Sequence, residues 1–239
     1  MSLAPFAVRC DVPPYRLSGT VVAALLNHRD SLAALGDAVL APPYRGAPKA
    51  VVLAIKPRHA LVAAGDALLV DDAAAELAVG ASLGIVIART ACAVRAANAL
   101  SHVAGYLVAC DATVPHASHY RPQIRAMARD ASFVLGADVV ARERAGDPDS
   151  LSIRVFVDGE LVRSTSTSDQ VRSAARLIAD ISDFMTLRPG DVVLTGSAPD
   201  GARVRAGAAI SIEIESVGRL ETRVAMATRA AIADPTRSR

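Results

Sequence analysis

Three groups of side chains in this sequence have the chemistry to build a site. The first is Asp111 with His116 and His119 just beyond it. Two imidazoles and one carboxylate can hold a transition metal, although two histidines so placed also suit an ordinary surface loop. The second is Glu76, in Ala75-Glu76-Leu77-Ala78, which reads either as a further oxygen ligand or as an exposed loop acid. The third is a pair of cations, Lys56 and Arg121, which are candidates for holding an anionic substrate and otherwise surface charges. His59 and His102 stand in no comparable context. The glycines at 105, 190, 196 and 218 read as turn residues, because the chain has neither a G-x-G-x-x-G nor a P-loop to cradle phosphate.

These residues must be positioned by a chain of 239 residues, long enough for one large domain or two small ones. Its apolar fraction of 52% and charged fraction of 21% are ordinary for a soluble globular protein. A formal net charge of +2, evenly spread, argues against a nucleic-acid partner. Cys10, Cys92 and Cys110 have no paired spacing and fit free thiols in a reducing compartment. No run approaches the ~18 apolar residues of a membrane span, and Met1 to Asp11 lacks the pattern of a signal peptide. The expectation is a cytoplasmic protein with no membrane or nucleic-acid partner.

The periodicity predicts an α+β, mainly β domain. Residues 1–17, with three prolines, form an arm; 18–227 form the domain; 228–239 are a polar tail. Strands are predicted at Thr20 to Leu26, Ala50 to Ile55, Ser82 to Ala88 and Tyr106 to Cys110, the last delivering Asp111 at its C-terminal end. A hairpin follows, Leu151 to Val157 and Glu160 to Ser164, turning at Asp158-Gly159. Val192 to Thr195, Ile210 to Ile214 and Leu220 to Ala225 complete the strands. Helical spacing covers Ser31 to Leu40, Ala96 to Ala104 and Ser168 to Phe184, the last with Val171, Ile178, Ile181 and Phe184 on one face.

Six short motifs, in order over residues 18 to 227, resemble the fumarylacetoacetate hydrolase family. They are Ala24-Leu25-Leu26-Asn27-His28; Ile55-Lys56-Pro57; Ala104-Gly105-Tyr106 with Cys110-Asp111; Tyr120-Arg121-Pro122 with Arg129-Asp130; Phe184 to Asp191 with Thr195-Gly196-Ser197; and Val217-Gly218-Arg219-Leu220. Within the family the chain is most similar to the N-terminal-type copy in the bifunctional isomerase/decarboxylase branch of homoprotocatechuate (4-hydroxyphenylacetate) breakdown.

The resemblance implies a fold, a reaction and a set of positions. The reaction would be decarboxylation of 5-carboxymethyl-2-oxo-hex-3-ene-1,7-dioate and isomerisation of the resulting 2-hydroxyhepta-2,4-diene-1,7-dioate. The family holds a divalent cation with a Glu-x-Glu and an Asp. Counting back 23 residues from Gly105 puts Ser82 and Gly80 at the two glutamates, leaving Asp111 as the sole retained metal ligand. Glu76 stands 29 residues before Gly105, so its use demands a six-residue insertion. Met127 occupies the place of the family lysine that neutralises the oxyanion of a 2-oxo acid, with Arg125 two residues away as a substitute if that segment is a strand. Ser31 occupies the place of the acid/base histidine. Ser197 replaces a substrate-contacting threonine and keeps its hydroxyl, joining Lys56 and Arg121 as substrate-binding candidates for a small dicarboxylate or 2-oxo acid.

On this reading the chain alone carries no cofactor, and Mg²⁺ or Mn²⁺ enters if the site is rebuilt, from Glu76 or from His116 and His119, or if a partner subunit supplies it. The chain is then the metal-ligand-poor copy in a homo-oligomer, or in a hetero-oligomer with a metal-bearing paralogue. The alternative is a catalytically inactive structural or regulatory subunit.

Overall fold

The structure, a computed structural model, describes residues 19–71, 74–116 and 124–227. Strands in chain order are β1 (Val21–Leu25), β2 (Val52–Lys56), β3 (Leu61–Val62), β4 (Ala67–Val70), β5 (Leu77–Ile87), β6 (Val103–Thr113), β7 (Phe133–Leu135), β8 (Val140–Ala141), β9 (Ser152–Val157), β10 (Glu160–Ser166), β11 (Val192–Leu194), β12 (Ala202–Val204), β13 (Ala209–Ile214) and β14 (Gly218–Met226). The helices are short: α1 (Arg29–Ala33), α2 (Ala96–Ala99), α3 (Ile124–Met127), α4 (Arg142–Ala145) and α5 (Ala174–Ser182). The fold is α+β and mainly β. Among the described residues no helix is long and apolar enough to cross a membrane.

Two sheets carry the fold. The larger runs β2-β1-β11-β5-β6-β7-β3, with β12 added to β5 and β8 to β6. The smaller runs β10-β9-β13-β14-β4. Alternation along the long central strands decides what each face touches. Leu83, Ile85 and Ile87 of β5 and Tyr106, Val108 and Cys110 of β6 pack in one core with Ile153, Val155, Ile210 and Ile212 of the smaller sheet. The opposite face of the larger sheet holds a second core of Val21, Val86, Leu107, Ala109, Phe133 and Val192. On that face β5 carries the small residues Ala78, Gly80, Ser82 and Gly84, and at the two glycines a neighbouring side chain already fills the space a Cβ would take. A Cβ on Gly84 would lie 2.5 Å from Leu107.

Several elements are shorter or longer than periodicity predicts, each for a visible reason. Ser168 to Phe184 is not one helix. Residues 167–169 form a 3₁₀ turn closed by a Ser166/Asp169 capping box, and the amides of Val171 and Arg172 are taken by the backbone and side-chain oxygens of Asn27 at 2.6 and 2.9 Å. Those donors cannot enter a helix, so α5 starts at Ala174, capped by Ser173. Val171 and Phe184, expected on the buried face, are exposed. Residues 31–40 break after α1 because Gly36 adopts positive φ, and a 3₁₀ turn follows. Helix α2 likewise ends early, and β6 begins at Val103. Asp111 therefore lies inside β6, two residues before its end. The hairpin turn at Asp158-Gly159 is as expected, with positive φ at both residues. The arm at 1–17 and the tail at 228–239 lie outside the described residues.

Candidate functional site

Strands β5 and β6 run antiparallel with Gly80 directly opposite Asp111 and Ala78 opposite Thr113. Directly opposed residues share a face, so these four positions and Ser82 look the same way. β12 extends the face on the other side of β5, with Arg203 opposite Ala78. A cavity of about 380 Å³ opens over it. Gly80, Asp111, Met127, Ser31, Ser197 and His116 all line this cavity. Positions scattered over almost 170 residues of sequence are thus brought together.

The wall is built tightly at Gly80. A Cβ placed there would lie 2.6 Å from Ser197 Oγ and 2.9 Å from Ser197 Cβ. The serine side chain occupies the space that any larger residue at 80 needs. The strand end that carries Ser197 is fixed from several sides. Gly196 has φ +98°, and a Cβ on it would meet the Ala24 carbonyl at 2.7 Å. Its amide donates to Ser82 Oγ at 3.1 Å, and its carbonyl accepts from Gln170 Nε2 at 3.1 Å. Asn27 Nδ2 donates to the Thr195 carbonyl at 2.8 Å. Ser31 Oγ lies 3.4 Å from the Ser197 carbonyl, a long contact to the same segment. Ser82 is buried beneath the cavity, with its hydroxyl used in this network.

Lys56, at the end of β2, is not a surface charge. Its Nζ donates to Asp111 Oδ1 at 2.6 Å and to the Met127 carbonyl at 3.2 Å, and stands 5.8 Å from the centre of the Phe133 ring. It supports the cavity from behind and does not line it. Met127 is buried and contributes an apolar wall. The segment around it is the helical turn α3 and not a strand, so the argument that Arg125 shares a strand face with Met127 fails; Arg125 faces solvent. His116 Nδ1 lies 2.9 Å from the Val114 carbonyl, so that nitrogen carries the hydrogen. His28, beside Asn27, is buried; its Nδ1 accepts the Asp30 amide at 3.2 Å as the cap of α1, and burial pulls its pKa below the ordinary value. Arg121 and His119 lie outside the described residues.

Glu76 does not line the cavity that holds Asp111. Its carboxylate is held by Arg203 Nη1 at 3.3 Å and approached by Arg205 Nη2 at 3.8 Å. It precedes Gly80 by four residues, which places the two Cα atoms roughly 13 Å apart along an extended chain. Sequence reasoning missed Arg203, which lines the cavity. Strand β12 is three residues long and sits beside Gly201, too short for any periodic signal.

The family implies a divalent cation, and the donors among the described residues do not fit one. Hard cations take several oxygens, usually from more than one carboxylate. Asp111 is a single carboxylate with one oxygen engaged by Lys56, position 80 has no side chain, and the Ser82 hydroxyl is committed to Gly196. Among the described residues no three His, Cys, Asp or Glu side chains converge. What the cavity offers is the neutralised Asp111 carboxylate, a second carboxylate at Asp200, the Ser197, Ser31 and Thr113 hydroxyls, an imidazole and a guanidinium. That set suits recognition of a small polar acid, and the volume falls in the range of small-molecule sites.

A two-sheet, mainly β domain with a small polar cavity over its central strands is the class this geometry defines. The chain belongs to the fumarylacetoacetate hydrolase family: the family model described as "Fumarylacetoacetate (FAA) hydrolase C-terminal" matches residues 20–225. It is 38% identical over 146 residues to a 4-hydroxyphenylacetate degradation bifunctional isomerase/decarboxylase of Salmonella dublin, covering 60% of this chain and 34% of that protein. It is 34% identical over 140 residues to a maleylpyruvate hydrolase of Aquipseudomonas alcaligenes, covering 58% and 47%. Among solved structures it is similar to a 5-carboxymethyl-2-hydroxymuconate delta-isomerase of Mycobacterium smegmatis, with a TM-score of 0.73, 26% identity, and coverage of 90% and 84%. The matched part is about a third to a half of these curated relatives' length.

Proposed function

We propose that the chain is the metal-ligand-poor copy or subunit of a 2-hydroxyhepta-2,4-diene-1,7-dioate isomerase / 5-carboxymethyl-2-oxo-hex-3-ene-1,7-dioate decarboxylase of 4-hydroxyphenylacetate breakdown. It works beside a metal-bearing paralogue, and its own cavity receives a small dicarboxylate or 2-oxo acid. The relatives named above support the reaction class. The observation that carries the metal-poor part is the Gly80–Asp111 pair: one carboxylate, half engaged by Lys56, faces a position whose side-chain space is filled by Ser197. Ile55 on edge strand β2 and Phe184 after α5 are exposed apolar side chains, which supports a covered surface in an oligomer.

The test is reconstitution. The purified chain with Mn²⁺ should neither decarboxylate the substrate nor gain melting temperature, since a metal that binds the folded state must raise it. Addition of the paralogue should restore turnover. Turnover by the chain alone with Mn²⁺ would sink the reading. A second reading, a catalytically inactive structural or regulatory subunit, is favoured by the Ser82 hydroxyl being spent on the Gly196 amide. It requires that changes in this cavity leave the complex's turnover untouched.

A further inference from the structure

We infer that Arg203 is the specificity-determining residue of the cavity, anchoring the second carboxylate of a 2-oxo dicarboxylic acid. This rests on the reading of the cavity as an acid-binding site. Among the described residues Arg203 is the one arginine or lysine that lines it. Its register opposite Ala78 puts it on the face of Gly80 and Asp111. From Asp111 it is two strands across and two residues along, roughly 12 Å between Cα atoms. The cavity is thus asymmetric: hydroxyls and a neutralised carboxylate lie at one end, a guanidinium at the other. A ligand whose far end carries a carboxylate meets the guanidinium there, and one whose far end is uncharged does not.

Arg203 is also held in place with donors to spare. Nη1 reaches Glu76 at 3.3 Å, and a guanidinium has five N–H donors in a fixed fork. Glu76 positions it, and Arg205 approaches the same carboxylate from outside the cavity at 3.8 Å. The charges on this rim, Arg203, Arg205, Glu76 and Asp200, sum to zero. Retention of a carboxylate here depends on direct contact with the Arg203 fork and not on a general positive field.

The test compares two probes of equal chain length, 2-oxopimelate and 2-oxoheptanoate, by calorimetry on the intact chain. Wild type should bind the dicarboxylate about tenfold more tightly, the equivalent of one charge-assisted hydrogen bond. Arg203→Gln should erase that preference and leave 2-oxoheptanoate unaffected. Arg205→Gln removes the same charge outside the cavity and should keep the preference. Equal binding of both probes by wild type, or equal weakening of both by Arg203→Gln, overturns the anchor and leaves the acid-binding reading standing. Loss of the preference in Arg205→Gln overturns direct contact. Binding of neither probe by wild type overturns both the anchor and the acid-binding reading.

Discussion

Two ion pairs stand at opposite ends of one cavity and obey different physics. Lys56–Asp111 is closed: the lysine side chain is 1% exposed and the aspartate 15%, at 2.6 Å. Arg203–Glu76 is open: the side chains are 48% and 33% exposed, at 3.3 Å. A buried pair gains little over an apolar replacement but is costly to break on one side, because the surviving charge has lost its water. An exposed pair contributes about 0–1 kcal/mol and is screened by salt. The closed pair therefore fixes the shape and charge of the wall, while the open pair can exchange partners with a ligand.

The largest expected effect breaks the closed pair. Lys56→Met leaves Asp111 uncompensated and should cost about 3 kcal/mol of stability. Lys56→Met with Asp111→Asn should recover most of it, since the stranded charge is gone. Urea denaturation of the three proteins measures this, and a loss below about 1 kcal/mol for the single change would place this pair with exposed ones.

Next is Gly80→Glu. It must displace Ser197 and sets a carboxylate directly opposite Asp111, so overpacking and like charge should together cost about 2–3 kcal/mol. Ser197→Gly in the same chain should return part of that. If thermal melts show the two changes to be additive, the steric coupling is wrong.

Cutting the open pair with Glu76→Gln should move stability by no more than about 0.5 kcal/mol. A larger drop in the denaturation midpoint would erase the contrast between the two ends. Smallest of all, raising salt from about 0.05 to 0.5 M should narrow the preference for 2-oxopimelate without moving the urea midpoint of Lys56→Met relative to wild type, because screening reaches exposed charges first.

Much of this was legible in the residues. β-branched and apolar runs located β1, β2, β9, β13 and β14 to within a residue or two, and the family spacing counted from Gly105 marked Gly80 and Ser82, which the structure puts on the face of Asp111. What failed shares a cause: the deciding interaction joined residues far apart in sequence. Asn27 stops a helix 144 residues later by taking the amides of Val171 and Arg172. Lys56 looks like a solvated charge until Asp111 and Met127 come to meet it. The first half of β5, Leu77 to Ala81, was unread because glycine and alanine there give no strand signal, although Gly80 is small for a reason imposed by Ser197. Arg203 gains its meaning from pairing with β5, which no local pattern records.

The contact between position 80 and Ser197 also orders the mutational paths open to this chain. Rotation of the serine hydroxyl can move Oγ, but Cβ is fixed by the backbone and stands 2.9 Å from where a new side chain at 80 must begin. A carboxylate at 80 is therefore penalised while residue 197 keeps its side chain, and permitted once that side chain has been trimmed. The reverse order passes through a destabilised intermediate. Two neutral-looking positions, more than a hundred residues apart, are in this way epistatic, and a search for cation-binding variants will succeed sooner if it starts at 197.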